Sequence, residues 1–297
     1  MDLIETLRVL LASKGIQDPV VARVVATAQV CLAFKTVREE QEDRIPIGAS
    51  KVGGSADLPP GSSWPAAEGV NFRFIAQFDL SEVARMLLNN PLPGSGLLSF
   101  FWCQEHEIGT TPQGVRVIYT PDTTKLVRVS DPWAAIPERV GFIRRLWGEK
   151  PSARGQGFWP CRPELSVKVT IADLGGPRRI GKGLMSAGEF DLIYGGKLDD
   201  ELEAAGMLIT GHRLLGEACP IQEPVEYEAE WDPTNPASDD REAREKSAAS
   251  WRLLLQVYAD GGPEFGFGDL GSIYFLIREA DLAAQRWDQV RVVMQCH

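Results

Sequence analysis

The stretch Phe-Ile-Ala-Gln-Phe-Asp at residues 74–79 decides how this sequence folds, because its order of residue types returns later in the chain. At residues 253–258 the sequence Leu-Leu-Leu-Gln-Val-Tyr again places one glutamine among apolar residues. Short apolar runs bounded by glycine and proline are typical of β-strands. We therefore interpret each stretch as a strand that carries one amide side chain.

Matching elements flank the two stretches in the same order. Glycine-containing segments precede them at Lys51–Gly54 and Leu214–Gly216, and glycine-led aromatic segments follow them at Gly96–Phe101 and Gly271–Leu276. Two related β units packed about a pseudo-twofold axis would explain this order. The repeat therefore predicts an internal duplication.

Two helices are predicted before the repeated body, in an N-terminal helical extension over residues 1–44. Apolar residues recur at helical spacing over residues 4–11 and again over residues 20–32. Asp18 is expected to be the N-cap of the second helix, and Pro19 its first helical residue.

The texture changes at residue 45 to short apolar runs broken by glycine and proline, which indicates strands and turns. We predict an α+β body over residues 45–297, with a mixed or mostly antiparallel sheet, short helices, and duplicated halves at approximately residues 45–130 and 205–297 joined by a connecting region. The predicted strands are Phe72–Phe78, Gly96–Trp102, Gly114–Thr120, Leu165–Ile171, Trp251–Tyr258, Ser272–Ile277 and Val290–Gln295. The predicted short helices are Ser81–Leu88, Asp199–Ala205, Asp239–Ala249 and Ala280–Gln285.

Charge and cysteine content restrict the partners and the compartment. The chain has 31 basic and 41 acidic side chains, and its net charge of -10 repels phosphate backbones and anionic lipids. Its 5 cysteines are widely spaced without a CxxC pair, which argues against a disulfide framework. We expect a cytoplasmic protein that binds neither nucleic acid nor membranes. A basic protein partner would suit its acidic surface.

The repeated elements resemble the YwqG-like family, bacterial proteins that form a domain of unknown function. The similarity extends from about residue 50 to the C-terminus, and it rests on the order of Lys51–Gly54, Leu58-Pro59, Trp64-Pro65, Phe74–Gln77, Leu92-Pro93, Gly96–Leu98, Leu214–Gly216, Ile221-Gln222, Leu254–Gln256, Gly268–Gly271 and Met294–Cys296. A tryptophan usually precedes the Gly-Asp pair in that family, whereas this chain has Phe267. The resemblance implies an α+β fold with internal duplication and no assigned activity.

Six side chains are candidates for binding a ligand or partner: Lys51, Trp64, Arg73, Gln77, Gln256 and Asp269. The two glutamines occupy matching places, where an amide either satisfies buried backbone groups or lines a pocket. Asp269 lies between glycines, where it either caps a turn or faces a ligand. The remaining three, with Asp79, offer a cation, an aromatic face and a carboxylate, although ion pairing and core packing explain them equally well.

No cofactor and no metal site are expected. The cluster Cys103–Glu107 combines cysteine and histidine but offers too few ligands for structural zinc. Nucleophile-elbow and phosphate-loop motifs are absent from the sequence, and the catalytic residues stay unknown. Two long connections, residues 132–163 and 223–240, are expected to contribute to the rim of a site or to a partner-contacting surface.

Three functions remain open from the sequence. The preferred one is a non-enzymatic binding protein that engages a protein partner, in an antitoxin-like or immunity role, or a small ligand between the two β units. The alternative is an uncharacterised enzyme with a pocket around Asp269, Gln77 and Gln256. The third is a scaffold that works through an exposed apolar stripe on the N-terminal helices.

Overall fold

The computed structural model describes residues 2–105, 111–133, 157–173, 176–177, 184–231 and 241–297. Within these residues the α-helices are α1 (Leu3–Ser13), α2 (Asp18–Thr27), α3 (Leu80–Met86), α4 (Ala187–Ile193), α5 (Asp199–Ala204), α6 (Val225–Glu230), α7 (Arg241–Ala248) and α8 (Glu279–Ala283). The strands are β1 (Gln29–Arg38), β2 (Lys51–Val52), β3 (Ala56–Leu58), β4 (Ala66–Ala67), β5 (Val70–Asn71), β6 (Arg73–Asp79), β7 (Leu97–Trp102), β8 (Val115–Thr120), β9 (Val127–Val129), β10 (Cys161–Thr170), β11 (His212–Leu214), β12 (Trp251–Tyr258), β13 (Ser272–Arg278) and β14 (Arg291–Gln295).

One antiparallel sheet of 10 strands forms the described body, in the order β14-β13-β12-β11-β1-β10-β2-β6-β7-β8. Its central pair is β1 and β10, which are in register from Gln29 opposite Thr170 to Arg38 opposite Cys161. Four strands follow outward on each side, and each set runs from a short strand to three longer ones. The strand order is therefore symmetric about the central pair, and the predicted α+β class is confirmed.

The sheet curves into an almost closed barrel whose two sides share one core. The ring centroids of Phe100 on β7 and Phe275 on β13 lie 5.2 Å apart. At the open edges, the ring of Tyr119 on β8 lies 6.2 Å from that of Trp287, which precedes β14. Burying each such aromatic ring contributes roughly 1.5–3 kcal/mol, so apolar packing holds the two halves together.

The N-terminal helices pack their apolar faces against a second core. Leu7, Leu11 and Val24 are buried there with Ile193 of α4 and Leu202 of α5. The apolar stripe that a scaffold would expose is therefore covered. No helix in the described ranges is long and apolar enough to cross a bilayer.

The prediction for the end of the second helix is wrong. Helix α2 ends at Thr27, and the apolar residues that follow it belong to β1 rather than to a helical stripe. The N-cap is Gln17, so Asp18 is the first helical residue and Pro19 the second. The four residues 31–34 are all buried between β10 and β11, and a fully buried apolar run has the same appearance in a strand as in a helix.

The same backbone geometry ends the short strands β2 and β11. Gly53 and Gly54 follow β2 with φ of 65° and 74°, and Leu215 and Gly216 follow β11 with φ of 63° and 82°. Glycine is required at the first of these positions because a Cβ there would lie 2.3 Å from the Trp159 carbonyl oxygen. Each half thus turns its chain with two consecutive left-handed residues.

Each of these turns is hydrogen-bonded to a β-bulge in the neighbouring strand. Ile75 is the extra residue of β6 against β7, and Leu254 is the extra residue of β12 against β13. The carbonyl of Ile75 accepts the Gly53 N–H at 2.9 Å, and the carbonyl of Leu254 accepts the Leu215 N–H at 2.8 Å. The unpaired carbonyl that a bulge creates is therefore satisfied in the same way in both halves.

The strand glutamines form hydrogen bonds with the main chain that follows each turn. The Oε1 atom of Gln77 accepts the Asp57 N–H at 3.0 Å, and that of Gln256 accepts the Cys219 N–H at 3.0 Å. Their Nε2 atoms donate to Ala49 O at 2.8 Å and to Cys219 O at 3.2 Å, respectively. Both glutamines therefore satisfy buried backbone groups.

We expect Gln256→Ala to lower the free energy of unfolding by about 1 kcal/mol, because the partly buried Cys219 N–H loses its hydrogen-bond partner. Gln77→Ala should cost more, because the Asp57 carboxylate loses a 2.7 Å hydrogen bond as well. Urea unfolding measures both changes. The control is Gln289→Ala, at an exposed glutamine, which should change stability by less than about 0.5 kcal/mol. Losses no larger than those of the control would contradict this role.

Candidate functional site

The structure brings Lys51 and Gln77 together in a closed ionic network. The Lys51 Nζ atom is fully buried, 2.9 Å from Glu42 Oε1 and 3.7 Å from Asp57 Oδ1. The Nε atom of Arg128 donates to Asp57 Oδ1 at 2.9 Å, and Gln77 donates to the other carboxylate oxygen. The charge of Lys51 is thus balanced inside the protein.

The pKa values in this network follow from its burial. Burial lowers the pKa of Lys51, against the opposing charges of Asp57 and Glu42. Burial alone would raise the pKa of Asp57, but the hydrogen bond from Arg128 and the charge of Lys51 outweigh it and lower that pKa. The network is a structural one, with no cation left for a ligand.

Trp64 and Asp269 lie apart from that network. The Trp64 indole donates to Phe72 O at 2.8 Å and packs edge-on against Phe101 at 5.4 Å. Asp269 is exposed in the loop before β13, where its carbonyl accepts the His297 N–H at 3.0 Å. In the described hydrogen bonds neither Gln77 nor Gln256 contacts Asp269, and none of the three cavities described among these residues is lined by any of them.

Arg73 lies in a different place, a cleft of about 510 Å³ between the two halves. The cleft combines residues of the first half, the β12–β13 loop of the second half and the connection between them. We call it the Arg73 cleft, and its described lining is Val70, Arg73, Gln104, Glu105, Trp133, Phe158, Glu264 and Gly266. Its volume falls within the range of about 300–1,000 Å³ for ligand pockets.

Aromatic rings cover the buried arginine of this cleft. The guanidinium carbon of Arg73 lies 4.0 Å from the Trp133 ring centroid and 5.6 Å from that of Phe158. Arg73 is only 6% exposed, and burial lowers its pKa against the charges of Asp131 and Glu105. Such a stacked guanidinium is held by cation–π attraction as well as by charge.

A buried carboxylate, that of Asp131, favours the charge of Arg73. Asp131 is 3% exposed and accepts the Trp133 N–H at 2.9 Å. Burial raises the pKa of Asp131, while the Trp133 hydrogen bond and the charge of Arg73 oppose the change. Shifted pKa values of this kind occur both at functional sites and in structural ion pairs.

The rim of the Arg73 cleft is polar and acidic. Gln104, Glu105 and Glu264 are exposed there. Glu264 lies 3.1 Å from the Arg38 guanidinium of β1. The described rim of the cleft therefore carries two carboxylates, one of which is paired with Arg38.

A buried histidine and an aspartate anchor the loop that carries Glu264 and Gly266. His212 Nε2 lies 3.0 Å from Asp260 Oδ2, and His212 Nδ1 accepts the Tyr258 N–H at 3.3 Å. Nε2 therefore carries the proton and donates a hydrogen bond to Asp260. The Asp260 carboxylate also accepts hydrogen bonds from the Thr36 hydroxyl and the Gly262 N–H. This arrangement requires neutral histidine, because a proton on Nδ1 would displace the Tyr258 hydrogen bond.

Most residues of this cleft could not be predicted from the sequence. Arg73 was predicted as a site residue, and the connection 132–163, to which Trp133 and Phe158 belong, was predicted to contribute to a rim. Asp131 and Glu264 carry no motif and were not predicted, and Glu105 was considered only within the Cys103–Glu107 cluster and as one of several scattered carboxylates. The only available signal was the run of aromatic and glycine residues at 265–268.

The cysteine-histidine cluster cannot be followed in full. Cys103 is buried and its pKa is raised by burial, whereas His106 and Glu107 lie outside the described residues. In the part of the chain that the structure describes, no three histidine, cysteine, aspartate or glutamate side chains form a group that could hold a metal ion.

The anchor should make stability depend on pH. Burial lowers the pKa of His212 despite its hydrogen bond to Asp260. Below about pH 6.5 the histidine is therefore protonated in the unfolded chain but stays neutral in the folded chain. The free energy of unfolding should therefore fall between about pH 7 and pH 5, and His212→Gln should reduce that fall. Urea unfolding across this range measures it. His297→Gln, at an exposed histidine, is the control, and equal pH slopes for both variants would contradict the assignment.

Comparison with known proteins places the chain in a family without assigning an activity. A search of curated proteins found no match. Residues 50–296 match the model of a domain of unknown function, DUF1963, a range that includes β2 to β14 and the whole described lining of the Arg73 cleft. The more specific YwqG-like assignment stays a prediction. The chain therefore belongs to the DUF1963 family of domains of unknown function.

Proposed function

We propose that this chain is a binding protein whose Arg73 cleft receives a basic side chain from a protein partner. The observation that carries this proposal is the combination, in one cleft between the two halves, of an aromatic lining with two exposed carboxylates. A lysine or arginine side chain has a matching character, with an apolar stem and a charged end.

The charge distribution supports a basic group over an acidic one. Arg73 is covered by Trp133 and balanced by Asp131, so its charge is not presented to an incoming anion. In the described lining the exposed carboxylates are those of Glu105 and Glu264, the second of them paired with Arg38, on a chain with a net charge of -10. Such a field attracts basic partners and speeds their association.

The cellular role and the compartment in which the protein binds its partner are also part of the proposal. An antitoxin-like or immunity role against a basic effector in the cytoplasm is its most specific form, and it rests on the acidic surface. An internal duplication would explain how the cleft came to lie between two similar units. The paired turns, bulges and glutamine contacts of the two halves support that origin.

Titration calorimetry with a short peptide rich in lysine and arginine tests the cleft directly. We expect the double variant Glu105→Gln/Glu264→Gln to bind the peptide about tenfold more weakly, a loss of roughly 1.4 kcal/mol, because both exposed carboxylates are neutralised. The matched peptide with glutamate in place of the basic residues should not bind.

The control is a double variant at two positions away from the cleft. Glu203→Gln on α5 combined with Glu242→Gln on α7 removes the same charge from exposed helix positions and should leave the affinity nearly unchanged. Equal losses in the two double variants would assign the binding to net charge alone and reject the cleft. Stronger binding of the acidic peptide would reject the proposal altogether.

A further inference from the structure

A second basic residue, Arg213 on β11, is buried without a full set of hydrogen bonds. It is 1% exposed. Its Nε atom donates to Gly211 O at 3.3 Å and its Nη1 atom donates to Glu217 O at 3.1 Å. The Nη2 atom is buried and has no hydrogen-bond partner among the described residues. A guanidinium donor left in this state is costly to bury.

No carboxylate is among the described groups that favour its charge. Burial lowers the pKa of Arg213, and the opposing contributions come from Cys219, Cys31 and Tyr274. Burial also raises the pKa of the Cys31 thiol to about 11 and raises that of Tyr274, so both groups are neutral at neutral pH. Among the described residues, no carboxylate forms an ion pair or a hydrogen bond with Arg213.

The first half of the sheet has a carboxylate at the position that corresponds to Cys219. Lys51 pairs with Gln77 across β2 and β6, as Arg213 pairs with Gln256 across β11 and β12. The residue whose N–H each glutamine accepts is Asp57 in the first half and Cys219 in the second. A carboxylate thus balances the buried cation in one half, and a thiol stands in its place in the other.

A cavity of about 210 Å³ adjoins this position in the second half. Arg213 and Cys219 line it, together with apolar side chains that include Ile193, Met207 and Ile209. One part of the cavity therefore offers a cation, and much of its remaining surface suits an apolar body.

Two half-buried aspartates, Asp173 and Asp199, also line the cavity. Their charges disfavour any anion in the cavity and a dianion more strongly, so a ligand would have to place a single negative charge at Arg213. From the unpartnered donor, the missing carboxylate and the apolar wall, we propose that this cavity binds a small organic monoanion, whose carboxylate pairs with Arg213 and whose aliphatic part packs against Ile193 and Met207. This site is separate from the Arg73 cleft and does not depend on its function.

Sodium butanoate is a suitable probe, with butan-1-ol as its uncharged match. We expect butanoate to raise the unfolding midpoint of the wild-type protein in a saturable manner, because a ligand that binds the folded state alone stabilises it. Butan-1-ol and sodium chloride should not do so. Butanedioate, which carries a second carboxylate, should bind at least about tenfold more weakly than butanoate.

The decisive variant is Cys219→Asp, which places a carboxylate where the first half has Asp57. It should weaken butanoate binding in titration calorimetry by at least about tenfold, because Arg213 then has an internal counter-ion. The control Cys219→Ser is neutral and similar in size, and it should keep the wild-type affinity within about threefold.

Two results would overturn the proposal. One is a wild-type protein that responds to butanoate no more than to butan-1-ol or sodium chloride, a comparison that needs no variant to fold. The other is equal loss of butanoate binding in the aspartate and serine variants, which would show that the thiol itself, and not an unbalanced arginine, accounts for the binding.

Discussion

Each half of the sheet depends on one buried interaction, the hydrogen bond from a main-chain N–H to a strand glutamine beside a β-bulge. Leaving that N–H unpaired would cost about 1–3 kcal/mol, so the chain beyond the left-handed turn must pass the glutamine. In the first half this constraint places Asp57 next to Lys51, and in the second it places Cys219 next to Arg213. The repeated backbone thus creates two equivalent positions at which a side chain faces a buried cation.

The central strand β1 connects this framework to the Arg73 cleft. It lies before the matched family range, yet its Thr36 hydroxyl donates to Asp260 and its Arg38 donates to Gly262 O at 2.7 Å. Arg38 also pairs with Glu264 on the rim. The N-terminal segment therefore positions one wall of the cleft, and the matched family range alone omits part of the framework that supports it.

The sequence predicts the outer strands well because glycine and proline bound their apolar runs, as at β6 and β12. It fails at β1, whose burial on both faces removes the alternation that marks a strand. The sequence also selects Arg73 but not Glu264, since these residues meet only when the two halves pack together. Lys51 has the composition of a site residue, and only the folded structure shows that Asp57 and Glu42 already balance it.

The two halves therefore have the same backbone arrangement at the strand glutamine but different side chains beside the buried cation. A buried ion pair that loses one partner typically costs about 3–5 kcal/mol, because the remaining charge is uncompensated. The second half has this arrangement at Arg213, with Cys219 at the place of the carboxylate and a cavity beside it. An apolar residue in place of Arg213 would avoid the cost of desolvating a charge, and a carboxylate in place of Cys219 would offset it. Neither is present, so stability alone does not account for Arg213, whereas the anion proposed for the adjoining cavity would supply the charge that Cys219 does not.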